Sequence, residues 1–297
     1  MLFKLLYPFT FLLFSFTLKL SADEKQIKKG EYIFHASGGC SCHTNKVNQG
    51  EFLAGGRSIK TPFGNFFGSN ITPDLDTGIG NWSDEDFIRA MTLGISPSGE
   101  NYFPVFPYTS FQLIKKQDIL ALKAYIFSIP PVNQKNIPHK LSLPIGRKIP
   151  MMFWKKFMWY GKNEFTNNPK RTKIWNRGAY LVRAIAHCTE CHTPRNFLGG
   201  LNNKMYLAGS NEGPEGETAP NITPEIKTGI GSWSKVDISY FLKTGIKPDG
   251  DDTQGLMSEL IDTGYQYLEE EDLNAIAEYL ITLPPIENNL GTNILYP

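Results

Sequence analysis

Two stretches of the chain alternate apolar and polar residues with the period of a helix, and each stops at a double proline. The first reads DILALKAYIFSIPPV from Asp118, and the second reads DLNAIAEYLITLPPI from Asp272. Apolar residues at helical spacing predict one buried face, and proline cannot continue a helix. The pattern therefore predicts two similar helices that end before Pro130 and Pro284.

A second pair of matching segments lies upstream of these helices. NITPDLDTGIGNWSDEDF begins at Asn70, and NITPEIKTGIGSWSKVDI begins at Asn221. In each, a serine followed three residues later by an aspartate is an N-cap signal that opens a short helix. The two serine–aspartate pairs are Ser83 with Asp86 and Ser234 with Asp237. The chain is therefore two copies of one unit.

The first 22 residues differ from the rest. Lys4 precedes an uncharged apolar run over 5–18, and the small residues Ser21 and Ala22 follow. This order predicts a secretory signal peptide that is removed after about Ala22. A retained membrane anchor is the alternative, but an apolar run interrupted by Pro8 is short for a span, which needs about 20 residues. We expect export to the periplasm.

The composition is that of an ordinary globular protein, with 41% hydrophobic residues, 20% charged residues and a formal net charge of +1. No strongly basic block is apparent, so a nucleic-acid partner is not expected. Only four cysteines occur, all in two close pairs. An exported protein favours disulfides, yet such close pairs are poor staples for a chain of this size.

The second cysteine pair forms a complete Cys-x-x-Cys-His motif of Cys188, Cys191 and His192. Cysteines three positions apart fall on one face of a helical turn, where they can reach both vinyl groups of a porphyrin. The histidine that follows is then presented to the iron as the proximal ligand. The motif predicts a covalently attached haem c.

The first pair, Cys40 and Cys42, has one linker residue fewer and is followed by His43. Cys40 lies ten positions after Gly30, and Cys188 lies ten positions after Gly178, so the shortening falls between the cysteines. In an α-helix, positions i and i+2 point about 200° apart. Either the turn is distorted or only Cys42 forms a thioether. A transition-metal site and a disulfide are the alternatives.

A low-spin haem in an electron carrier needs a second axial ligand, for which thioether sulfur is a common choice. Met257 lies in the polar, glycine-rich stretch that begins at Gly245, where an isolated methionine is poorly explained as core. We therefore assign His192 and Met257 to the second iron. An ungapped alignment of the units puts Phe106 at the position of Met257, and phenylalanine cannot ligate iron.

The ligand opposite His43 stays open at this point. Met91 aligns with a leucine inside a short helix, which is typical of core, and His35 lies just ahead of the cysteines on the proximal side. Four further candidates belong to the segment between the units: His139, Met151, Met152 and Met158.

As a set, these motifs resemble class I c-type cytochrome domains, and in particular the exported multihaem cytochromes c that act as subunits or partners of periplasmic dehydrogenases. The motifs that carry the resemblance are WNRGAYLVRAIAHCTECHTPRNFLGG from Trp175, TPFGNFFGSNITPD from Thr61 and the two TGIGxWS loops. The resemblance covers nearly all of 26–286. It implies an all-α fold of two tandem cytochrome c domains, each a small helical bundle around a haem.

The resemblance also implies where the helices of each bundle cross. The first and last helices should meet where glycine allows a close approach, around Gly30 and Tyr125 in one unit and around Gly178 and Tyr279 in the other. The domain boundaries that we predict are a signal peptide at 1–22, a first domain at 23–132, a linker at 133–172 and a second domain at 173–297.

The linker contains the aromatic stretch IPMMFWKKFMWYG. Aromatic residues mixed with Lys155 and Lys156 are compatible with contact to a membrane surface. Packing of the two domains against each other is the interpretation that we favour.

The leading hypothesis for function is an electron carrier with two covalent haems, in which the cofactor does the chemistry. The resemblance implies a quinoprotein or molybdenum dehydrogenase as donor, and a soluble cytochrome or terminal oxidase as acceptor. The first alternative is a dihaem redox enzyme, similar to peroxidases or thiosulfate-oxidising cytochromes, with an open first iron. The second is a structural first unit that has lost its haem.

Overall fold

The computed structural model describes residues 23–142, 148–159 and 164–290, so the predicted signal peptide lies outside the described residues. The α-helices of the first half are α1 (23–36), α2 (Asp84–Leu93), α3 (Tyr108–Phe111), α4 (Lys116–Ile126) and α5 (Lys148–Met158). Those of the second half are α6 (Lys173–Tyr180), α7 (Thr189–His192), α8 (Lys235–Thr244), α9 (Gly255–Thr263) and α10 (Glu270–Leu280). A π-helical turn, Leu181–Ile185, extends α6.

The predicted helix starts and ends are confirmed. Ser83 and Asp86 form a capping box at α2, and Ser234 and Asp237 form the same box at α8. In each box the serine hydroxyl accepts the N3 backbone N–H while the aspartate accepts the serine N–H, which satisfies two otherwise unpaired donors. Helices α4 and α10 both end shortly before their double prolines.

The predicted crossing of the first and last helices at glycine is also confirmed in both units. A Cβ atom on Gly30 would overlap the carbonyl oxygen of Ala121 and lie 2.8 Å from the Tyr125 Cβ. A Cβ on Gly178 would overlap the carbonyl oxygen of Ala275 and lie 2.9 Å from the Tyr279 Cβ. Only glycine permits backbones to approach this closely.

The all-α prediction is wrong in one respect, because a small antiparallel sheet lies between the helices. Strands β1 (Ser58–Thr61) and β2 (Gly64–Phe67) form a hairpin, and β3 (Lys140–Leu141) from the linker pairs with β2. The hairpin turns at Pro62 and Phe63 and ends at Gly64, whose φ of 126° suits glycine. The helix-based interpretation of the sequence overlooked this short β-branched and aromatic run.

The two units exchange a tyrosine across their interface. The Tyr32 hydroxyl donates to Oδ2 of Asp272 at 2.5 Å, and the Tyr180 hydroxyl donates to Oδ2 of Asp118 at 2.6 Å. Each aspartate opens the last helix of its unit and is also paired with a base of that unit: Lys29 with Asp118, and Arg177 with Asp272. A tyrosine from each unit therefore bonds a buried aspartate of the other unit, whose basic partner is partly exposed.

The repeats share one apolar core. The main buried cluster includes Ile33 and Leu122 of the first unit together with Val182 and Ile276 of the second. Across the described ranges, no helix combines the length and apolarity required to cross a bilayer.

Helix α5 of the linker contacts both units, so the predicted packing role of this segment is confirmed for one of its faces. Lys155 Nζ donates to the carbonyl oxygens of Leu93 and Gly94, which lie at the end of α2. Trp154 Nε1 donates to the carbonyl oxygen of Leu198 in the second unit at 2.7 Å.

The helix crossing predicts the sign of the change in the free energy of unfolding when Gly178 is replaced by alanine. In an ordinary exposed helix, replacing Gly178 by alanine would stabilise the protein by roughly 0.5–1 kcal/mol. Here the added methyl group overlaps Ala275, so we expect a loss of about 3 kcal/mol in the free energy of unfolding, measured by guanidinium denaturation. The control, Lys173→Ala on the exposed side of the same helix, should change it by no more than about 0.5 kcal/mol. A more stable Gly178→Ala variant would contradict the crossing.

Candidate haem sites

The second attachment motif forms one α-helical turn. Helix α7 begins directly after Cys188, and the backbone N–H of His192 donates to the carbonyl oxygen of Cys188 at 2.9 Å. This is an i to i+4 bond, so Cys188 and Cys191 lie on one side of the turn. Both cysteines are half-buried.

The first attachment motif forms the same closure with one residue fewer. The backbone N–H of His43 donates to the carbonyl oxygen of Cys40 at 2.9 Å, which is an i to i+3 bond, and Ser41–His43 is a 3₁₀ turn. Cys40 takes a left-handed conformation with φ 48°, and so do Gly38 and Gly39 before it. The first turn is therefore distorted from an α-helix, and the 200° separation of positions i and i+2 does not apply to Cys40 and Cys42.

The two cysteines of this shorter turn have different surroundings. Cys40 is half-buried against the shared core, and its Sγ lies 3.7 Å from the Ser37 hydroxyl. Cys42 is exposed and lines a cavity. Burial raises the pKa of Cys40 to about 12, as it does for Cys188 and Cys191, so these thiols are protonated at neutral pH.

Both predicted proximal histidines are held by the same hydrogen bond. Nδ1 of His43 donates to the carbonyl oxygen of Ser69, and Nδ1 of His192 donates to that of Pro220, at 2.7 Å in each case. A carbonyl can only accept, so Nδ1 carries the proton and Nε2 keeps its lone pair. Burial lowers the pKa of both imidazoles, which favours this neutral form.

The loops that support the two histidines also match bond for bond. The backbone N–H of Leu53 donates to the Thr44 hydroxyl, and that of Leu207 donates to the Thr193 hydroxyl, both at 3.0 Å. Sequence reasoning did not identify the two carbonyl acceptors. Their signal was available, because Ser69 and Pro220 immediately precede the repeated NITP motifs.

Met257 lies in the first turn of α9 rather than in a loop, and it packs, half-buried, against the shared core. Its aligned counterpart Phe106 packs edge-on against the rings of Phe111 and Tyr102, with centroid separations of 5.6 and 5.8 Å. The axial role of Met257 therefore stays a prediction, and the counterpart position in the first unit is aromatic.

The other candidate ligands for the first iron have surroundings that differ from one residue to the next. His35 is bonded through Nδ1 to the carbonyl oxygen of Thr263, and His139 accepts the N–H of Phe67. The four methionines are best described by what surrounds them. Met91 is buried in the core, Met151 packs on the cluster of Ile59, Phe66 and Phe103, Met152 is exposed, and Met158 accepts a weak bond from Asn196.

A cavity of about 360 Å³ lies between the units and is lined by the second cysteine of each motif, Cys42 and Cys191. Its walls are mostly aromatic and aliphatic, with contributions from Phe66, Phe103 and Leu260. The two attachment turns therefore face one common apolar space.

Glu190 is the linker residue that the first motif lacks, and it joins the two units at this cavity. Its carboxylate accepts the hydroxyls of Thr109 at 2.6 Å and Ser110 at 2.5 Å, both from α3 of the first unit, and pairs with Arg195. Burial alone would raise the pKa of Glu190, but Arg195 and the two hydroxyls hold it below its usual value. Glu190 is thus a buried carboxylate.

The reciprocal contact is made at the first motif, where α9 packs on the attachment turn. The Thr263 hydroxyl donates to the carbonyl oxygen of Gly38 at 3.0 Å, and a Cβ on Gly39 would lie 2.6 Å from the carbonyl oxygen of Thr263. Arg57 adds ion pairs to Glu259 at 2.7 Å and to Glu215 at 3.1 Å. Helix α3, which follows Phe106, therefore packs on the second attachment turn, and α9, which contains Met257, packs on the first.

No family model matches the chain, but curated proteins do. The chain is 39% identical over 270 residues to a dihaem c-type cytochrome of Cereibacter sphaeroides, covering 88% of this chain and 87% of that one. It is 39% identical over 265 residues to the fructose dehydrogenase cytochrome subunit of Gluconobacter japonicus, and 33% identical over 269 residues to the gluconate 2-dehydrogenase cytochrome c subunit of Pantoea cypripedii. These matches cover 89% and 88% of this chain.

The chain spans only 54% of the fructose dehydrogenase subunit and 60% of the gluconate dehydrogenase subunit, but nearly the whole of the dihaem protein. The names of these relatives agree with two attachment turns that present neutral imidazoles from equivalent positions. The chain belongs to the family of dihaem c-type cytochromes and cytochrome c subunits of dehydrogenases.

Proposed function

We propose that the chain is a periplasmic electron carrier with two covalently attached haem c groups, which receives electrons from a dehydrogenase and delivers them to a soluble cytochrome or a terminal oxidase. The observation that supports this most directly is the repeated histidine geometry. Both imidazoles are fixed through Nδ1, burial favours their neutral form, and Nε2 of each bonds no protein group among the described residues.

These residues fit the group that the proposal requires. A haem, when bound, supplies one-electron redox chemistry at its iron. The Ser69 and Pro220 carbonyls orient the two ligating rings and make them more basic, which is the usual contribution of a second hydrogen bond to a ligating histidine. In the second unit, Met257 would supply a thioether sulfur opposite His192, and this pair of ligands raises the reduction potential.

The apolar cavity supports exchange of electrons between the two sites. Cys42 and Cys191 both line it, so the porphyrin edges attached to them would approach the same space. Its lining is mostly aromatic and aliphatic, and it also includes the charged side chains of Arg57, Glu190 and Arg195.

The donor and the acceptor are proposed by analogy with the relatives. Three of the relatives' names state that they are cytochrome subunits of fructose, gluconate or alcohol dehydrogenases. The export pattern at 1–22 supports a periplasmic location for such a partnership. A quinoprotein or molybdenum enzyme is the donor that this family favours.

Phe106 supports a second candidate function for the first unit. The ring packs against Phe111 and Tyr102 in the position that corresponds to Met257, and the alternative methionines and histidines have other environments. An iron held by His43 would then lack a protein ligand on its far side. Such a site could bind a small molecule, as in a dihaem redox enzyme related to peroxidases.

The attachment can be tested by counting covalent haems on the exported protein by denaturing mass spectrometry. We expect two on the wild type. Cys40→Ala should keep both haems, because Cys42 is the cysteine adjacent to His43 and exposed to the cavity, whereas Cys42→Ala should keep only one. Cys191→Ala is the matched change at the complete motif. Loss of a haem in Cys40→Ala but not in Cys42→Ala would reverse the assignment, and a wild type with one haem would support a structural first unit.

The ligand assignment can be tested with carbon monoxide, which binds reduced haem only where a coordination position is accessible. We expect the reduced wild type to bind one carbon monoxide per two haems. Phe106→Met should abolish this binding by supplying a sulfur ligand, and Phe106→Leu is the control that should not. Met257→Leu should raise the stoichiometry to two and lower the potential of the second haem. A wild type that binds none would mean that another side chain ligates the first iron.

A further inference from the structure

Helix α5 carries apolar side chains on its half-buried side and also on its exposed side. Its half-buried positions are Met151, Trp154, Lys155 and Met158. The exposed positions are Met152, Phe153, Lys156 and Phe157, and the three apolar members of this set are 53%, 49% and 54% exposed. The helix therefore presents two phenylalanines and a methionine to the outside.

Contacts on the inner face fix this orientation. Lys155 Nζ donates to Leu93 O at 2.6 Å, to Gly94 O at 2.9 Å and to Asn101 Oδ1 at 2.7 Å. A cation there bonds carbonyl oxygens at the end of α2 and complements the helix dipole. Together with the Trp154 bond to Leu198, this arrangement prevents α5 from rotating its phenylalanines inward.

Two other segments add apolar side chains next to α5. Leu198, which accepts the Trp154 bond, is 44% exposed, and its neighbour Phe197 is 88% exposed. Phe63, at the tip of the β1–β2 hairpin, is 48% exposed and lies beside Gly199 of the same loop. We name these residues the aromatic face: Phe63, Met152, Phe153, Phe157, Phe197 and Leu198. Contiguous exposed apolar patches of this kind mark interaction sites.

Basic residues outnumber acidic ones in the linker that carries α5. The segment 133–172 contains nine lysines and arginines but only one acidic residue, Glu164, although the whole chain has a formal charge of only +1. No more than two of these basic residues are adjacent, so the segment is basic overall without a strongly basic block. Lys156 Nζ lies 5.9 Å from the centroid of the Phe157 ring, and Lys60 on β1 and Lys140 on β3 are exposed on the sheet whose hairpin carries Phe63.

We propose that the aromatic face inserts into the headgroup region of a bilayer rich in anionic phospholipid. A helix that lies in the interface buries its phenylalanines at the boundary of the acyl chains, while lysines contact lipid phosphates. The proposal commits to lipid because apolar side chains project from three separate segments with cations among them, and this matches the charge of an anionic membrane.

This placement orients the rest of the molecule. Phe63, Trp154 and Leu198 also line the cavity between the units, so its mouth opens beside the aromatic face. Docking through this face would hold Cys42 and Cys191 on the side of the protein that faces the membrane. The proposal is independent of the assigned electron-transfer role, because it concerns a surface outside both attachment turns.

The test is flotation of the exported holoprotein with vesicles, one set of phosphatidylcholine alone and one of equal parts phosphatidylcholine and phosphatidylglycerol. We expect binding to the anionic vesicles and much less to the neutral ones. Raising the salt to about 1 M, where the Debye length is about 3 Å, should weaken it. The double variant Phe153→Ser, Phe157→Ser should bind at least about tenfold more weakly, and Lys156→Glu should bind at least about fivefold more weakly.

The matched control is Ile226→Ser combined with Val236→Ser, which removes two side chains that are 75% and 73% exposed elsewhere in the second unit and should leave vesicle binding unchanged. Haem absorbance and the unfolding midpoint verify that each variant is folded. The proposal is overturned if the wild type binds neither kind of vesicle, or if it binds both equally. It is also overturned if the phenylalanine variant still binds. Loss of association with a dehydrogenase without loss of vesicle binding would assign the face to a protein partner instead.

Discussion

The hydrogen bond from Nδ1 of each proximal histidine to a backbone carbonyl is the constraint on which the functional architecture depends. It fixes the orientation of the ring, selects the tautomer with the proton on Nδ1, and leaves the lone pair on Nε2. The same loop hydrogen bonds surround the two acceptors. The threonine after each histidine accepts a leucine N–H, and the asparagine that opens each NITP motif accepts the N–H of the threonine in that motif. Because the same bond length occurs in both units, the first unit holds His43 as the second unit holds His192, despite its shortened linker.

The units depend on each other as well as on their own helices. Tyr32 completes the charged pair at Asp272, Tyr180 completes the one at Asp118, and both tyrosines have their pKa raised by burial first and by the neighbouring carboxylate second. Those aspartates open the same helices that cross at Gly30 and Gly178. A change at the interface is therefore transmitted directly to the helix pairs that frame the attachment turns. This reciprocity gives a physical reason for the two repeats to occur in one chain.

Much of this arrangement could be predicted from the chain, because its signals are local. Capping boxes, double prolines and glycines at helix crossings act within a few residues or through backbone sterics, and those predictions are confirmed. The hairpin at Ser58–Phe67 was overlooked because its strands are four residues each and the third strand comes from the linker, some 70 positions away. Partners at such separation leave no periodicity to detect. The outward direction of Phe153 was equally inaccessible, since it follows from what Lys155 bonds on α2.

The loss of one residue between Cys40 and Cys42 is related to what packs there. In the second unit the extra residue, Glu190, projects into α3 and receives two hydroxyls and an arginine. In the first unit α9 packs on the attachment turn, and its Thr263 approaches Gly39, the residue before Cys40, so closely that a methyl group would not fit there. A 3₁₀ turn entered through left-handed glycines has one side chain fewer while it retains the His43 to Cys40 backbone bond. The short linker therefore occurs where the partner unit packs closely on the turn, and His43 keeps the same bond to a backbone carbonyl that His192 makes.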